Sequence, residues 1–338
     1  MAERWRRVGL IANPVAGSGS QESLAAARKA IERCGAQEVA TGPHYAGESA
    51  LAGWSGRVQV HQAETIAGIT TTRVLARWIA GQKLDGLIVV GGDGTLSDAA
   101  MEVGSTVPVI GIGTGSTNVG RLMTCRASQI EELNFAELEI WKVHALLASV
   151  NDRLVAMGFN DIVIGCTIVG TLDGRRCDLS AAERIGGKMI PGSPRSIGGR
   201  EAKVTRVRAG EQTLVAEGEA VGTVVAGFAE PAFFGKAITG GICLATLAGI
   251  PAGCLVCDLP LAQVGTTASD LLSAPPVVSR YVSLSAETGI VVEGMEGDAT
   301  LCVDGNPVHR LRRSDRVSIS VRTEAAVGVR ARKDSRFA

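Results

Sequence analysis

Residues 84–90 read as a β-strand of the kind buried in a parallel sheet, and Gly91-Gly92-Asp93-Gly94-Thr95 follows with no spacer. Residues 96–103 then carry helical spacing. Three glycines around one aspartate let backbone pass close to a bound group. Their N–H groups, with a helix N-terminus behind them, suit an anion such as phosphate. Asp93 would sit at the strand tip, where a carboxylate can take a proton from a hydroxyl or position Mg²⁺. The plainer alternative is a tight glycine turn in which the aspartate caps the helix.

The same arrangement recurs twice. Asn13-Pro14-Val15-Ala16-Gly17-Ser18-Gly19-Ser20 lies between a strand-type run at 8–12 and helical spacing at 21–33. Gly17, Ser18, Gly19 and Ser20 offer N–H groups and hydroxyls to phosphate, and Ser20 also suits a helix N-cap. Gly111-Ile112-Gly113-Thr114-Gly115-Ser116-Thr117-Asn118 lies between a strand at 107–112 and a helix expected to start over 118–123. A further strand at 57–62 and a helix at 70–79 complete the alternation. Such repetition implies a doubly wound α/β domain over residues 1–135, with its ligand at the carboxyl ends of the strands. The chain holds 43 glycines in 338 residues, close to twice the usual share of about 7%. Three such loops account for much of the excess in the first domain.

Beyond about residue 135 the pattern changes to short β-branched runs bounded by Gly, Asn or Asp. Two long segments meet at Asn151-Asp152, which reads as a hairpin turn. Residues 136–325 are therefore expected to form an all-β, sandwich-like domain, and 326–338 a tail. The glycine-, proline- and serine-rich stretch 186–199 reads as a mobile loop.

Composition narrows the classes. Lys+Arg and Asp+Glu both number 34, so no charge surplus serves nucleic acid or an anionic membrane. No uncharged apolar stretch has the length and character of a membrane span. Eight cysteines scattered through apolar contexts fit a reduced, cytoplasmic setting. Cys254-Leu-Val-Cys257 lacks the second ligand pair of a zinc site and reads as buried small side chains. His44, His61, His144 and His309 share no ligand spacing, so no protein metal site is expected.

These residues carry a resemblance. The glycine–aspartate motif at 91–95, with Asn13-Pro14 and its glycine-rich loop, resembles the superfamily of NAD kinases and diacylglycerol-type lipid kinases. Residues 113–118, Phe228-Ala229-Glu230-Pro231 and Val303-Asp304-Gly305 are similar to the branch that includes acetoin-catabolism protein X. The resemblance implies an α/β domain followed by a β-sandwich, with the active site between them. It implies a kinase using ATP and Mg²⁺, assembled as a homo-oligomer. Asp93 would activate the acceptor hydroxyl. Asn13, Gly17, Ser18, Gly19, Ser20, Gly91, Gly92, Gly94, Thr95, Gly113, Thr114, Gly115 and Ser116 would line the ATP phosphates. Thr117, Asn118, Asn160, Asp161 and Glu230 would face the acceptor, Asn160-Asp161 matching the Asn–acid pair of NAD kinases.

The segment 227–235 lacks the Thr-Ala-Tyr that grips the dinucleotide in NAD kinases. The acceptor therefore stays open between NAD and a smaller hydroxyl compound, and Glu230 and Lys236 could contact an acceptor other than NAD. Two other classes compete: a nucleotide-binding protein without turnover, and a lipid kinase.

Overall fold

A computed structural model describes residues 5–13, 20–64, 66, 69–114, 120–172, 175–228, 252–260, 272–273 and 276–331. The chain divides into two compact units, one of Met1–Ala145 with Thr323–Ala338, the other Leu146–Arg322.

The first unit alternates strand and helix: β1 (Arg7–Ala12), α1 (Ser20–Cys34), β2 (Glu38–Thr41), β3 (Arg57–Val60), α2 (Thr71–Ala80), β4 (Gly86–Gly91), α3 (Asp93–Val103), β5 (Val109–Gly113) and β6 (Met123–Arg126). The strands lie in the order β3-β2-β1-β4-β5, all parallel, with β6 beside β5. Leu87, Ile88, Val89 and Val90 are all wholly buried, as expected of a strand covered on both faces. β4 begins only after Asp85. That carboxylate accepts from the Arg7 N–H at 2.8 Å, and the Asp85 N–H donates to the Arg7 carbonyl at 2.8 Å, so Asp85 pins the start of β1. Thr70 caps α2, its Oγ1 accepting from the Arg73 N–H, and the helix buries Leu75, Ala76 and Ile79.

From β1 the chain winds outward to β2 and β3, then crosses to β4 and β5 on the other side of β1. The reversal falls between β1 and β4, the position where doubly wound sheets open a crevice at their carboxyl ends.

One expectation fails here. Gly120–Met123 was to lie in a helix start, but residues 121–122 form a turn and Met123 opens β6. Thr124 explains the preference. Its hydroxyl accepts from the Gly111 N–H and donates to the Val329 carbonyl, holding extended chain beside β5. Residues 118 and 119 lie outside the described residues.

The remaining strands are β7 (Leu138–Val150), β8 (Arg153–Gly158), β9 (Asp161–Gly165), β10 (Thr167–Leu172) and β11 (Arg175–Ser180). The short helix α4 (Ala181–Ile185) follows. Then come β12 (Lys203–Arg208), β13 (Glu211–Glu217), β14 (Thr223–Phe228), β15 (Ala252–Cys257), β16 (Ser279–Leu284), β17 (Thr288–Glu293), β18 (Thr300–Val303), β19 (Asn306–Arg310) and β20 (Val317–Ala331). In the first unit Gly328 of β20 pairs in parallel with Val109, so residues 326–331 continue a strand. β7 and β8 meet at Asn151 and Asp152, both with positive φ, as a two-residue hairpin demands.

In the second unit β16-β15-β14-β9-β18-β19 form one antiparallel sheet. β13, β12 and β17 form a second antiparallel set that continues to the Val317–Ile319 end of β20. Ile162, Ile164, Val224 and Val256 from the first set share one core with Val204, Ile290, Val292 and Ile319 from the second. Two antiparallel faces closing on one apolar layer make the expected sheet pair.

Residues 186–199, read from sequence as mobile, are tied down. The Ser180 N–H donates to the Ile190 carbonyl, Gly192 to Asp178, and Ile197 to Gly222. Ile197 is wholly buried. The glycines serve close packing: a Cβ on Gly198 would lie 2.5 Å from the Val221 carbonyl oxygen. Cys254 and Cys257 are fully buried in β15, and burial pushes both thiols up, Cys257 to about 11.

Candidate active site

Three connections leave the carboxyl ends of the neighbouring strands β1, β4 and β5. Asn13, the first residue after β1, donates its N–H to the Val90 carbonyl at 2.9 Å. Its Nδ2 donates to Thr95 Oγ1 at 2.8 Å. Thr114, the first residue after β5, donates its N–H to the Gly91 carbonyl at 3.1 Å. The Gly120 N–H donates to Asp93 Oδ1 at 3.0 Å. These bonds tie the connections after β1 and β5 to the 90–95 segment, so the three loops form one interlocked edge at the switch point.

The five-residue motif is hardly a loop at all. Gly91 ends β4, Gly92 is the single connecting residue, and Asp93 opens α3. Gly92 is extended (φ −88°, ψ 174°), and its carbonyl already accepts from Thr95 and Leu96 at 2.9 and 3.2 Å. Gly94 and Thr95 are buried in the first turn. Glycine is required at Gly91 by close approach: a Cβ there would meet Thr95 Oγ1 at 2.8 Å. Gly120 is similar, since its Cβ would lie 2.7 Å from Asp93 Oδ1. Asp93 is thus fixed at the N-terminus of a helix. Thr114 is 6% exposed, and its Oγ1 is buried without a hydrogen-bond partner among the described residues.

The structure therefore brings Asn13, Gly91, Gly92, Asp93, Gly94, Thr95 and Thr114 together, with Gly113 closing β5 beside Gly91. Ser20, expected as an N-cap, is the first residue of α1. Gly17, Ser18, Gly19, Gly115, Ser116, Thr117, Asn118 and Glu230 lie outside the described residues.

Asn160 and Asp161 belong to the second unit, at the tight turn between β8 and β9. Here sequence reasoning missed a partner. Asp304 Oδ2 accepts from the Phe159 N–H at 2.8 Å, while Oδ1 accepts from Asn160 at 2.9 Å and Asp161 at 2.8 Å. Asp304 reads from sequence as an ordinary hairpin residue. It does open the β18–β19 turn with φ +48°, but its side chain is buried on a segment more than 140 residues earlier. No local pattern signals such a bond. Asn160 is 2% exposed, and its Oδ1 has no partner among the described residues.

Among the described residues no group of three or more His, Cys, Asp or Glu could hold a metal ion. No described helix is long and apolar enough to cross a membrane.

Residues 8–128 match the family of ATP-NAD kinase N-terminal domains. An uncharacterized protein of Archaeoglobus fulgidus is 32% identical over 226 residues, 67% of this chain and 68% of that relative. The crystal structure of yeast NADH kinase complexed with NADH aligns with a TM-score of 0.53 at 14% identity, over 98% of this chain and 84% of the yeast chain. The last likeness concerns the fold alone. The likeness to a known family is therefore to the ATP-NAD kinase N-terminal domain, and it covers residues 8–128 of this chain.

Proposed function

We propose that this protein transfers the γ-phosphoryl group of ATP to a hydroxyl of a small metabolite or of NAD. The observation that carries the reading is Asp93, fixed at the first position of α3 where three interlocked connections meet. Phosphoryl transfer needs positioning and charge stabilisation more than covalent chemistry by the protein. In this reading backbone N–H groups at the α3 N-terminus and the Thr114 hydroxyl would hold phosphate oxygens. Asp93 takes the proton of the acceptor hydroxyl as its oxygen bonds to phosphorus; the bond from phosphorus to ADP breaks and ADP keeps the electron pair.

Mg²⁺ fits this donor set. Asp93 supplies one carboxylate, and Mg²⁺ is commonly held by one or two carboxylates together with phosphates and water. Bound there, it would neutralise charge on the phosphates. Asn160 and Asp161 are our candidates for acceptor contacts in the second unit. The absence of Thr-Ala-Tyr from 227–235 favours a small hydroxyl compound over NAD.

The test is ATP consumption with NAD, NADH, glycerol, acetoin and diacylglycerol as acceptors, on the parent protein and on Asp93→Asn. At least one hydroxyl compound should support turnover. Asp93→Asn should fold and bind ATP but lose roughly 10²- to 10⁴-fold in rate, the usual contribution of a general base. Comparable turnover by that variant would remove Asp93 from its assigned role.

A further inference from the structure

We infer that Asp304 is a positioning residue for the acceptor, holding the β8–β9 turn so that the Asn160 amide oxygen is presented to a hydrogen-bond donor of the bound compound. The inference rests on the reading of Asn160-Asp161 as acceptor contacts and adds to it the group that sets their geometry.

Three successive N–H groups, those of Phe159, Asn160 and Asp161, converge on one carboxylate at 2.8–2.9 Å. Charge-assisted bonds of that length are the stronger kind. The Asp304 N–H returns a bond to the Asp161 carbonyl at 3.0 Å, and the Phe228 N–H donates to the Asn160 carbonyl at 3.2 Å. The turn backbone is thereby committed on both sides. Asp304 is 6% exposed, so its bonds face little competition from water.

The Asn160 side chain stands apart from this pattern. Its residue is 2% exposed, yet Oδ1 meets no donor among the described residues. A buried amide oxygen left unmatched is costly unless a ligand supplies the donor. An amide oxygen accepts only, so the matching group is a hydroxyl or N–H. A hydroxyl is what a phosphoryl acceptor must carry. The turn cannot relax to satisfy Oδ1 internally while Asp304 holds its three N–H groups. The two observations together describe a contact prepared before the ligand arrives.

The experiment compares Asn160→Ala, Asp304→Asn and Asp304→Ala with the parent. It uses whichever of NAD, NADH, glycerol, acetoin or diacylglycerol supports ATP consumption. Asn160→Ala and Asp304→Ala should raise the acceptor KM by roughly 10- to 100-fold, the scale of misplacing a bound group by about an ångström. The KM for ATP should stay within about twofold, because uniform damage would move both constants. Asp304→Asn keeps one accepting oxygen and should fall between the parent and Asp304→Ala.

A raised acceptor KM in Asn160→Ala with none in either Asp304 variant overturns the positioning role and leaves the acceptor reading standing. No change in Asn160→Ala overturns the acceptor reading, and the inference falls with it. So does an absence of turnover with every compound. If both Asp304 variants fail to fold, amide hydrogen exchange of the intact protein decides. Phe159, Asn160 and Asp161 amides protected without any acceptor uphold a turn held in advance, and exchange as fast as an exposed turn overturns it.

Discussion

The edge around Asp93 and the turn around Asn160 solve one problem in opposite ways. Both hold polar groups in place at a chain reversal where a strand ends or begins. At Asp93 the support is distributed: the Asn13 amide on Thr95, the Thr114 N–H on Gly91 and the Gly120 N–H on Asp93 come from the two connections that follow β1 and β5. At Asn160 it is concentrated: one buried carboxylate gathers three successive N–H groups. The cause lies in topology. Adjacent parallel strands deliver several loops to one edge, so each can lend a bond. The β8–β9 turn instead depends on one side chain projecting from the β18–β19 hairpin, whose strand β18 pairs with β9. Distributed support tolerates single losses; concentrated support does not.

The sharpest way to break this contrast is to remove Asp304. Asp304→Ala leaves three N–H groups without their acceptor, those of the buried Phe159 and Asn160 and of the half-buried Asp161. Each such loss costs about 1–3 kcal/mol, so denaturant unfolding should show roughly 3 kcal/mol or more of destabilisation. A loss of less than about 1 kcal/mol, the worth of one ordinary hydrogen bond, would show that the turn is held by other means. The counterpart in the first unit is Asn13→Ala, which removes the bond to Thr95. With the Thr114 and Gly120 bonds intact, the expected loss is about 1 kcal/mol. A loss equal to that of Asp304→Ala would end the claim that support at this edge is shared.

The same contrast explains how much was legible in the sequence. A parallel strand covered on both faces must be apolar along its length, so β4 and β5 stood out, and the glycines between strand and helix marked the shared edge. The start of α3 did not stand out. Two glycines argue against helix by propensity, yet Gly94 is buried in its first turn and the helix begins at Asp93, three residues before the spacing shows it. Packing outweighed propensity there. The helix expected through Met123 failed for the converse reason: Thr124 finds both its partners in extended chain, one of them the Val329 carbonyl 205 residues away. Asp304 failed hardest, because three bonds across more than 140 residues leave no local trace. Distributed sites advertise themselves through repetition, whereas a concentrated one rests on a single residue that looks like any hairpin aspartate.

The smallest expected effect tests distribution where one carboxylate serves two cations. Glu102 on α3 meets Arg73 Nε at 2.8 Å and Arg77 Nε at 3.0 Å, both on α2, with its side chain 10% exposed. Burial opposes its ionisation, but the hydrogen bonds and charges of Arg77 and Arg73 outweigh it, and the carboxyl is held below its ordinary 4.5. A depressed carboxyl stabilises the fold above the unfolded value, and that stability is lost as pH falls through the folded value. Asp98, one turn earlier, runs the other way. Burial raises it despite the Thr70 hydrogen bond, so its contribution is present below the unfolded value and fades as pH rises through the folded one. Glu102→Gln should therefore cost up to about 1 kcal/mol at neutral pH, the scale of a partly exposed ion pair. Its gap from the parent should close as the pH drops below 4.5. Urea unfolding of both proteins across the acid range measures this, and adding Asp98→Asn to each should leave the gap between them closing in the same range. A neutral-pH loss matching Asp304→Ala would mean that concentrated support also exists behind the parallel sheet, and that the contrast belongs to individual carboxylates rather than to the two topologies.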